Sequence, residues 1–123
     1  RYIYDLMNRI KEVTDALNGK TKLTYDVNGN LLTVTDAKNQ TIVYTYNNKD
    51  KVATMTDQLG KIETYSYDKM DNITSVKDRK GQTTAFTYDL LNRITKTAYN
   101  DSSYIDYIYD AIGRLNYIND SIS

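Results

Sequence analysis

The side chains in this chain whose spacing could build a chemical site are the carboxylates and the phenols. The chain has 123 residues, among them 13 Tyr and 16 acidic residues, with no His and no Cys. Three chemistries suit such a set: calcium ligation, glycoside hydrolysis by a carboxylate pair, and stacking of tyrosine rings on sugars. Asp26-Val27-Asn28-Gly29-Asn30 has the outward look of an EF-hand calcium loop. That loop needs Gly at its sixth position and a bidentate Glu at its twelfth. Leu31 and Ala37 hold those places here, so the match fails. A hydrolytic pair needs two carboxyl groups flanking a cleft. The aspartates, apart from a few such as Asp106, fall instead at recurrent turn positions, and the only glutamates, Glu12 and Glu63, fall at unrelated ones. Missing His removes the commonest general base and metal ligand, and missing Cys removes thiolate nucleophiles, disulfides and Cys-based zinc sites. No catalytic, metal or cofactor-binding residue is assigned, and the chain is expected not to be an enzyme. The tyrosines remain the one serious binding candidate.

Composition narrows the partners. Sixteen basic residues balance sixteen acidic ones, so there is no basic field to hold phosphates, and nucleic-acid binding is not expected. No apolar run approaches the roughly 18–20 residues of a membrane-spanning helix, and no membrane insertion is expected. Tyr dominates the large apolar side chains, against one Phe and no Trp. It offers apolar area with a hydroxyl that stays wet, which suits a sheet with one face partly covered.

The elements that position these residues follow from a repeat. Tyr4, Tyr25, Tyr46, Tyr67, Tyr88 and Tyr109 stand 21 residues apart, and Asp follows each except Tyr46, where Asn47 takes the place. A period of this size means one supersecondary unit stacked repeatedly. Each unit carries two turn signals. The first, Asp-x-x-[Gly/Asn/Asp], ends at Asn8, Gly29, Asp50, Asp71, Asn92 and Gly113; the second opens at Asp15, Asp36, Asp57 and Asp78 and closes at Asn18, Asn39, Gly60 and Gly81. Gly, Asn and Asp tolerate positive φ, which predicts a type I turn followed by a left-handed residue at each position, with the leading Asp accepting from the turn's own amides.

Between the turns lie β-prone runs. The second run of each repeat alternates plainly, as in Ile42, Tyr44, Tyr46 or Ile105, Tyr107, Tyr109, with Thr, Ser and Lys on the other face. In the first run, Ile10, Leu31, Val52, Ile73, Ile94 and Leu115 are in register, but the apolar residue three places on has the opposite parity in a period-2 strand. Either both faces are partly covered or a bulge switches the face. The expected fold is all-β: an antiparallel meander of tandem 21-residue hairpins, about eleven strands by run count and typical strand length, in a sheet that curls or spirals.

The runs YDLLNRITK and YDVNGNLLTVTDAKNQTIVYT resemble the tyrosine-aspartate (YD) repeats of the rearrangement-hotspot (Rhs) family, whose pattern is roughly YDxxGRLxxVTDxxGxxTxYx. The resemblance covers Tyr2 to about Asp120. It departs at Asn47 and at Tyr99-Asn100-Asp101-Ser102, which stands where Asp-x-x-Gly is expected and predicts a turn of different geometry. The resemblance implies a spiral β-shell in bacterial secreted or cell-surface toxins, enclosing a toxic domain of the same chain. The family's Pro- and Asp-bearing self-cleavage motif is not carried over, since this chain has no Pro. Residues 1–123 are therefore read as a repeat region with starts at 4, 25, 46, 67, 88 and 109, a fragment of a longer chain whose cargo or toxin domain lies elsewhere.

Three sets of residues are singled out for anything beyond architecture. The recurrent tyrosines are expected to pack on their neighbours, which leaves Tyr2, Tyr99, Tyr104 and Tyr117, off the main frame, as the better candidates for a glycan or a cell-surface partner. Bare edge strands near Arg1–Tyr4 and Leu115–Asn119, or the aromatic face, are expected to drive self-association. Four Asn-x-Ser/Thr sequons (Asn39, Asn72, Asn100, Asn119) are the chance matches of an Asn- and Thr-rich chain.

Overall fold

The computed structural model describes residues 1–121, and these form two compact units, one of residues Arg1–Ile62 and one from Glu63 on. The first holds β1 (Tyr2–Tyr4), β2 (Ile10–Thr14), β3 (Lys20–Tyr25), β4 (Leu31–Thr35), β5 (Thr41–Tyr46) and β6 (Val52–Thr56). The second holds β7 (Ile62–Tyr67, opening at the boundary), β8 (Ile73–Lys77), β9 (Thr83–Tyr88), β10 (Ile94–Ala98), β11 (Tyr104–Tyr109) and β12 (Leu115–Asp120). Within each unit every strand pairs antiparallel with the next, so strand order is chain order, as the meander requires. Among the described residues there are twelve strands rather than about eleven. The additional one is β1, three residues long, which qualifies by pairing with β2 although it is too short to show a pattern of its own.

Turn chemistry explains the strand ends. Left-handed backbone occurs at every position that the turn signals predict: Asn8, Asn18, Asn39, Asp50, Asp71 and Asn92 lie at φ 61–65°, and Gly29, Gly60, Gly81 and Gly113 at 78–91°. In the Asp26 turn the amide of Gly29 donates to the Asp26 carbonyl (3.1 Å) and the Asp26 amide to the Asn30 carbonyl (2.9 Å). That is the three-residue hairpin connection whose last loop residue is left-handed.

A bulge settles the parity question. Tyr25 opposes Leu31, but Thr24 opposes Thr33, so Leu32 is an extra residue in β4. The same slip recurs between Ile3 and Tyr4, Thr45 and Tyr46, Ser66 and Tyr67, Ile94 and Lys96, and Ile108 and Tyr109. An unpaired residue flips the parity of the strand beyond it. Leu31 and Val34 thereby come to lie opposite Tyr25 and Leu23, all on one face. The other face carries hydroxyl pairs such as Thr24–Thr33 (2.6 Å) and Thr45–Thr54 (2.7 Å).

Among the described residues no apolar side chain is fully buried; the one buried residue is Thr97, at 5% exposure. It stands between Phe86 and Ile105 on the aromatic face, where the other repeats place Val13, Val34, Met55, Val76 and Ile118. A single layer of sheet covers each side chain only with its cross-strand neighbours. Stability therefore rests on ladder pairs of roughly 0.2–1 kcal/mol each, summed over many repeats.

Candidate functional site: the tyrosine-aspartate corner

Each corner is built around one capping residue whose acceptors are engaged by the turn. In the first, Asp5 Oδ1 accepts from the amides of Met7 and Arg9 (2.9 Å each), and Oδ2 accepts from Arg9 Nε (2.8 Å). Asp26 Oδ1 likewise accepts from the amides of Asn28 (2.9 Å) and Asn30 (2.8 Å), and Oδ2 from Asn30 Nδ2 (3.0 Å). Asn47 preserves the essential half: its Oδ1 accepts from the amides of Lys49 (2.9 Å) and Lys51 (3.0 Å). The replacement gives up a charge and keeps the cap.

The tyrosine ties one repeat to the one before it. Tyr25 Oη donates to the Ile10 carbonyl, Tyr46 to Leu31, Tyr88 to Ile73 and Tyr109 to Ile94, each at 2.7 Å and 15 residues apart in sequence. The hydroxyl that makes Tyr look like a ligand contact is thus taken up by backbone. These carbonyls are part-buried, and a bond to each contributes about 1 kcal/mol that Tyr supplies and Phe would not.

Electrostatics reflect these bonds. The Asp5 carboxyl is held below its ordinary value by the Arg9 amide first, then by the Arg9 side chain and the Met7 amide. Asp89 and Asp110 are lowered in the same way by Arg93 and Arg114, and Asp26 chiefly by the Asn30 side chain. The phenols of Tyr46 and Tyr88 are pushed up by burial, then by the nearby charges of Asp26 and Asp68. These carboxylates are fixed in the ionised, hydrogen-bonded state, the opposite of what a general acid needs.

The off-frame residues do not converge on one site. Tyr2 (59% exposed) opposes Val13 on the aromatic face of the first unit. In the second unit, Tyr104 and Tyr117 lie on the polar face, opposite Ala98 and Ile108, and Lys96 Nζ sits 4.2 Å from the Tyr104 ring centroid. Tyr99 occupies the Asp slot of the fifth hairpin tip. The expected change of geometry there is not found: the Tyr99 amide donates to the Ser103 carbonyl (2.8 Å), the Ser102 amide to Tyr99 (3.1 Å), and Ser102 takes φ 73°. Backbone hydrogen bonding suffices to close this turn, and Asp101 Oδ1 takes over the capping by accepting from the Ser103 amide (2.9 Å). Tyr99, Asn100, Asp101, Asp78 and Gln82 line a shallow depression of about 350 Å³ beside it.

The off-turn carboxylates stay apart in role. Glu63 lies on the aromatic face, where Tyr65 Oη donates to it and Arg79 Nε lies 4.0 Å away. Glu12 pairs with Lys20 at 3.1 Å. Among the described residues no three acidic side chains gather as a metal site would require. No helix of the structure is long and apolar enough to cross a membrane.

Sequence reasoning missed the arginine that follows the left-handed residue. Arg9 lies 4.5 Å from the Tyr25 ring centroid and donates from Nη1 to the Asp26 carbonyl (3.2 Å), and Arg93 lies 4.3 Å from the Tyr109 centroid. The signal was present in the spacing, because Arg9, Arg93 and Arg114 each stand five residues after a repeat tyrosine.

Tandem hairpins whose defining side chains close their own backbone make a structural β-repeat protein. The match is to the Teneurin YD-shell family, over residues 1–121, and the chain belongs to that family. Its fold is shared by a solved TcdB2-TccC3-Cdc42 structure (20% identity, TM-score 0.78, 93% of this chain and 6% of that one). A TcdB2-TccC3 structure (19%, 0.77, 93% and 7%) and a Photorhabdus luminescens Tc holotoxin pore (19%, 0.76, 93% and 6%) share it too. This chain thus spans only 6–7% of the length of these chains. Among curated proteins, none matches it.

Proposed function

We propose that this chain is a wall segment of a hollow β-shell, a stretch of a longer YD-repeat array in a bacterial secreted or cell-surface toxin-type protein that encloses or displays another domain of the same polypeptide. The observation that carries this reading is the corner itself: its acceptors and phenols are consumed in joining repeat to repeat, so the repeated residues serve the wall and leave little for a ligand. Membership of the YD-shell family and the fold shared with Tc toxin chains support it. No enzymatic role is assigned, since the carboxylates at the corners are held ionised by turn amides. The test is protease protection in the longer parent chain. A domain beyond the repeats should resist cleavage while the wall is intact and become sensitive when Tyr46→Ala and Tyr88→Ala open it; equal sensitivity in both would sink the reading.

The exposed off-frame tyrosines favour a second reading, a glycan- or surface-binding module. It expects micromolar affinity for a defined sugar on an array, lost on Tyr99→Ala or Tyr117→Ala. Self-association of the isolated chain through an edge strand or the aromatic face is also proposed, and light scattering showing a monomer at high concentration would refute it.

A further inference from the structure

Of the asparagines in the chain, only Asn18 and Asn28 are followed by Gly. An Asn-Gly pair is open to self-modification, because a residue without a side chain leaves its amide nitrogen free to approach the preceding carboxamide. That nitrogen gives its proton to water and attacks the asparagine Cγ. The new N–Cγ bond forms, the Cγ–Nδ2 bond breaks, and the departing nitrogen takes up a proton and leaves as ammonia. Water then opens the cyclic imide to aspartate or isoaspartate, so water is consumed, ammonia is released, and nothing is oxidised or reduced.

Both asparagines are exposed, but they occupy different places in the same kind of turn. Asn18 is the left-handed residue of its tip (φ 65°), and the Gly19 amide after it donates to Asp15 Oδ1 at 2.8 Å. A carboxylate oxygen against this nitrogen opposes the loss of its proton, and the charged bond must break before attack. Asn28 stands one place earlier in its turn, and Gly29 is the left-handed residue (φ 88°). The Gly29 amide donates to the neutral Asp26 carbonyl at 3.1 Å, a weaker hold. Gly29 is also exposed where Gly19 is half-buried, so base reaches its amide more readily.

The leaving nitrogen differs as well. Asn28 Nδ2 donates to Asp50 Oδ1 in the following corner, at 3.1 Å. As this nitrogen departs it gains a proton and positive charge, which the Asp50 carboxylate stabilises. The same contact ties two corners together. Asn30 Nδ2 completes the tie by donating to Asp26 Oδ2 (3.0 Å) and to Asp50 Oδ1 (2.8 Å). Two asparagine amides thus hold two carboxylates side by side. Conversion of Asn28 replaces one of these donors with a third carboxylate and turns its attraction to Asp50 into repulsion. At the first tip Asp15 does the capping, and Asn18 contributes its backbone amide to the Asp15 carbonyl.

We infer that Asn28 is a self-modifying site, at which the Gly29 nitrogen is the nucleophile, Asp50 assists the departure of ammonia, and the product unties the Asp26 corner from the next. This chemistry is independent of whether the sheet encloses a domain.

The test incubates the 123-residue chain at mildly alkaline pH and cuts it with trypsin, which places Asn18 and Asn28 in separate peptides, residues 12–20 and 23–38. Mass spectrometry follows the conversion of amide to acid in each, and labelling by an isoaspartyl methyltransferase identifies the product. Asn28 should convert about fivefold faster than Asn18, the rate ratio expected between breaking a neutral and a charge-assisted hydrogen bond. The difference should vanish in urea, where only local sequence acts. Asp50→Asn should slow Asn28 by about the same factor and leave Asn18 unchanged, the loss of one charged contact to the leaving nitrogen. Asn92, which accepts from Asn72 at the equivalent place, shows that a corner accommodates this exchange. Asn28→Asp, a mimic of the product, should lower the urea midpoint more than Asn18→Asp does, and adding Asp50→Asn should restore it. Equal rates in the folded chain, or a difference that survives urea, would overturn the inference. So would a rate at Asn28 untouched by Asp50→Asn, or a midpoint untouched by Asn28→Asp.

Discussion

The corner and the hairpin tip are the same turn put to different uses. The tip at Asp36 repeats the backbone and capping bonds of the corner at Asp26: the Asp36 amide donates to the Gln40 carbonyl (2.9 Å), the Asn39 amide to Asp36 (3.0 Å), and Asp36 Oδ1 takes the amides of Lys38 and Gln40. Beyond the tip the ladder runs on without a slip, Thr35 opposite Thr41 and Val34 opposite Ile42. Beyond the corner a bulge intervenes, a tyrosine reaches back to the preceding repeat, and the residue after the left-handed position contacts the next corner. The tip merely reverses the chain, whereas the corner also aligns neighbours. Variation among the copies shows the same division. The fifth tip accepts Tyr99 in the Asp slot, while the only exchange at a corner, Asn47, keeps the capping oxygen.

The comparison breaks most visibly at the tyrosine. Tyr46→Ala removes a half-buried ring and the bond to the Leu31 carbonyl, and should cost about 3 kcal/mol in urea unfolding. Tyr46→Phe isolates the bond, at about 1 kcal/mol. Tyr99→Ala at the tip should stay within about 0.5 kcal/mol, the usual range of a surface substitution. A comparable loss at both places would erase the distinction.

Backbone strain comes next and should not tell corner from tip. Gly60→Val at a tip and Gly29→Val at a corner force a β-branched residue to φ +78° and +88°, and each should destabilise by about 1–2 kcal/mol. Asn39→Gly, at a position that already needs φ 64°, should be nearly neutral, within about 0.5 kcal/mol.

The smallest effect concerns pH. Asp5, Asp26, Asp89 and Asp110 have folded values below the ordinary 3.8. Their contribution is present above 3.8 and is lost as pH falls through the folded values, because the unfolded chain binds protons first. Tyr46 and Tyr88, raised above 10.0, act at the other end: the stability they support is present below 10.0 and declines as pH rises through their folded values. Asn47→Asp restores a carboxylate at the one corner without it and should steepen the acid limb of a pH-dependent melting curve. An unchanged limb would show that capping, and not charge, accounts for the geometry the corners share.

Much of this was legible in the sequence because its causes are local. The left-handed positions could be read from Gly, Asn and Asp at fixed offsets, since few residues tolerate positive φ and their periodic placement leaves little choice. Alternation in the second run announced one aromatic face. Parity in the first run stayed open, because a bulge is a relation between two strands and leaves no mark in the run that carries it: Lys11, Leu32, Ala53, Thr74, Thr95 and Asn116 share no chemistry. The Tyr99 turn misled for a related reason, since an absent capping residue suggests a changed turn where the flanking strands already impose it.

Period, turn type and the all-β class were therefore settled by sequence, each being fixed within a few bonded residues. Where the tyrosine hydroxyl goes, and that Arg9 reaches from its own corner to the next, only the tertiary structure decided. Those contacts join residues 15 to 17 apart, and they exist only once the strands between the corners have paired.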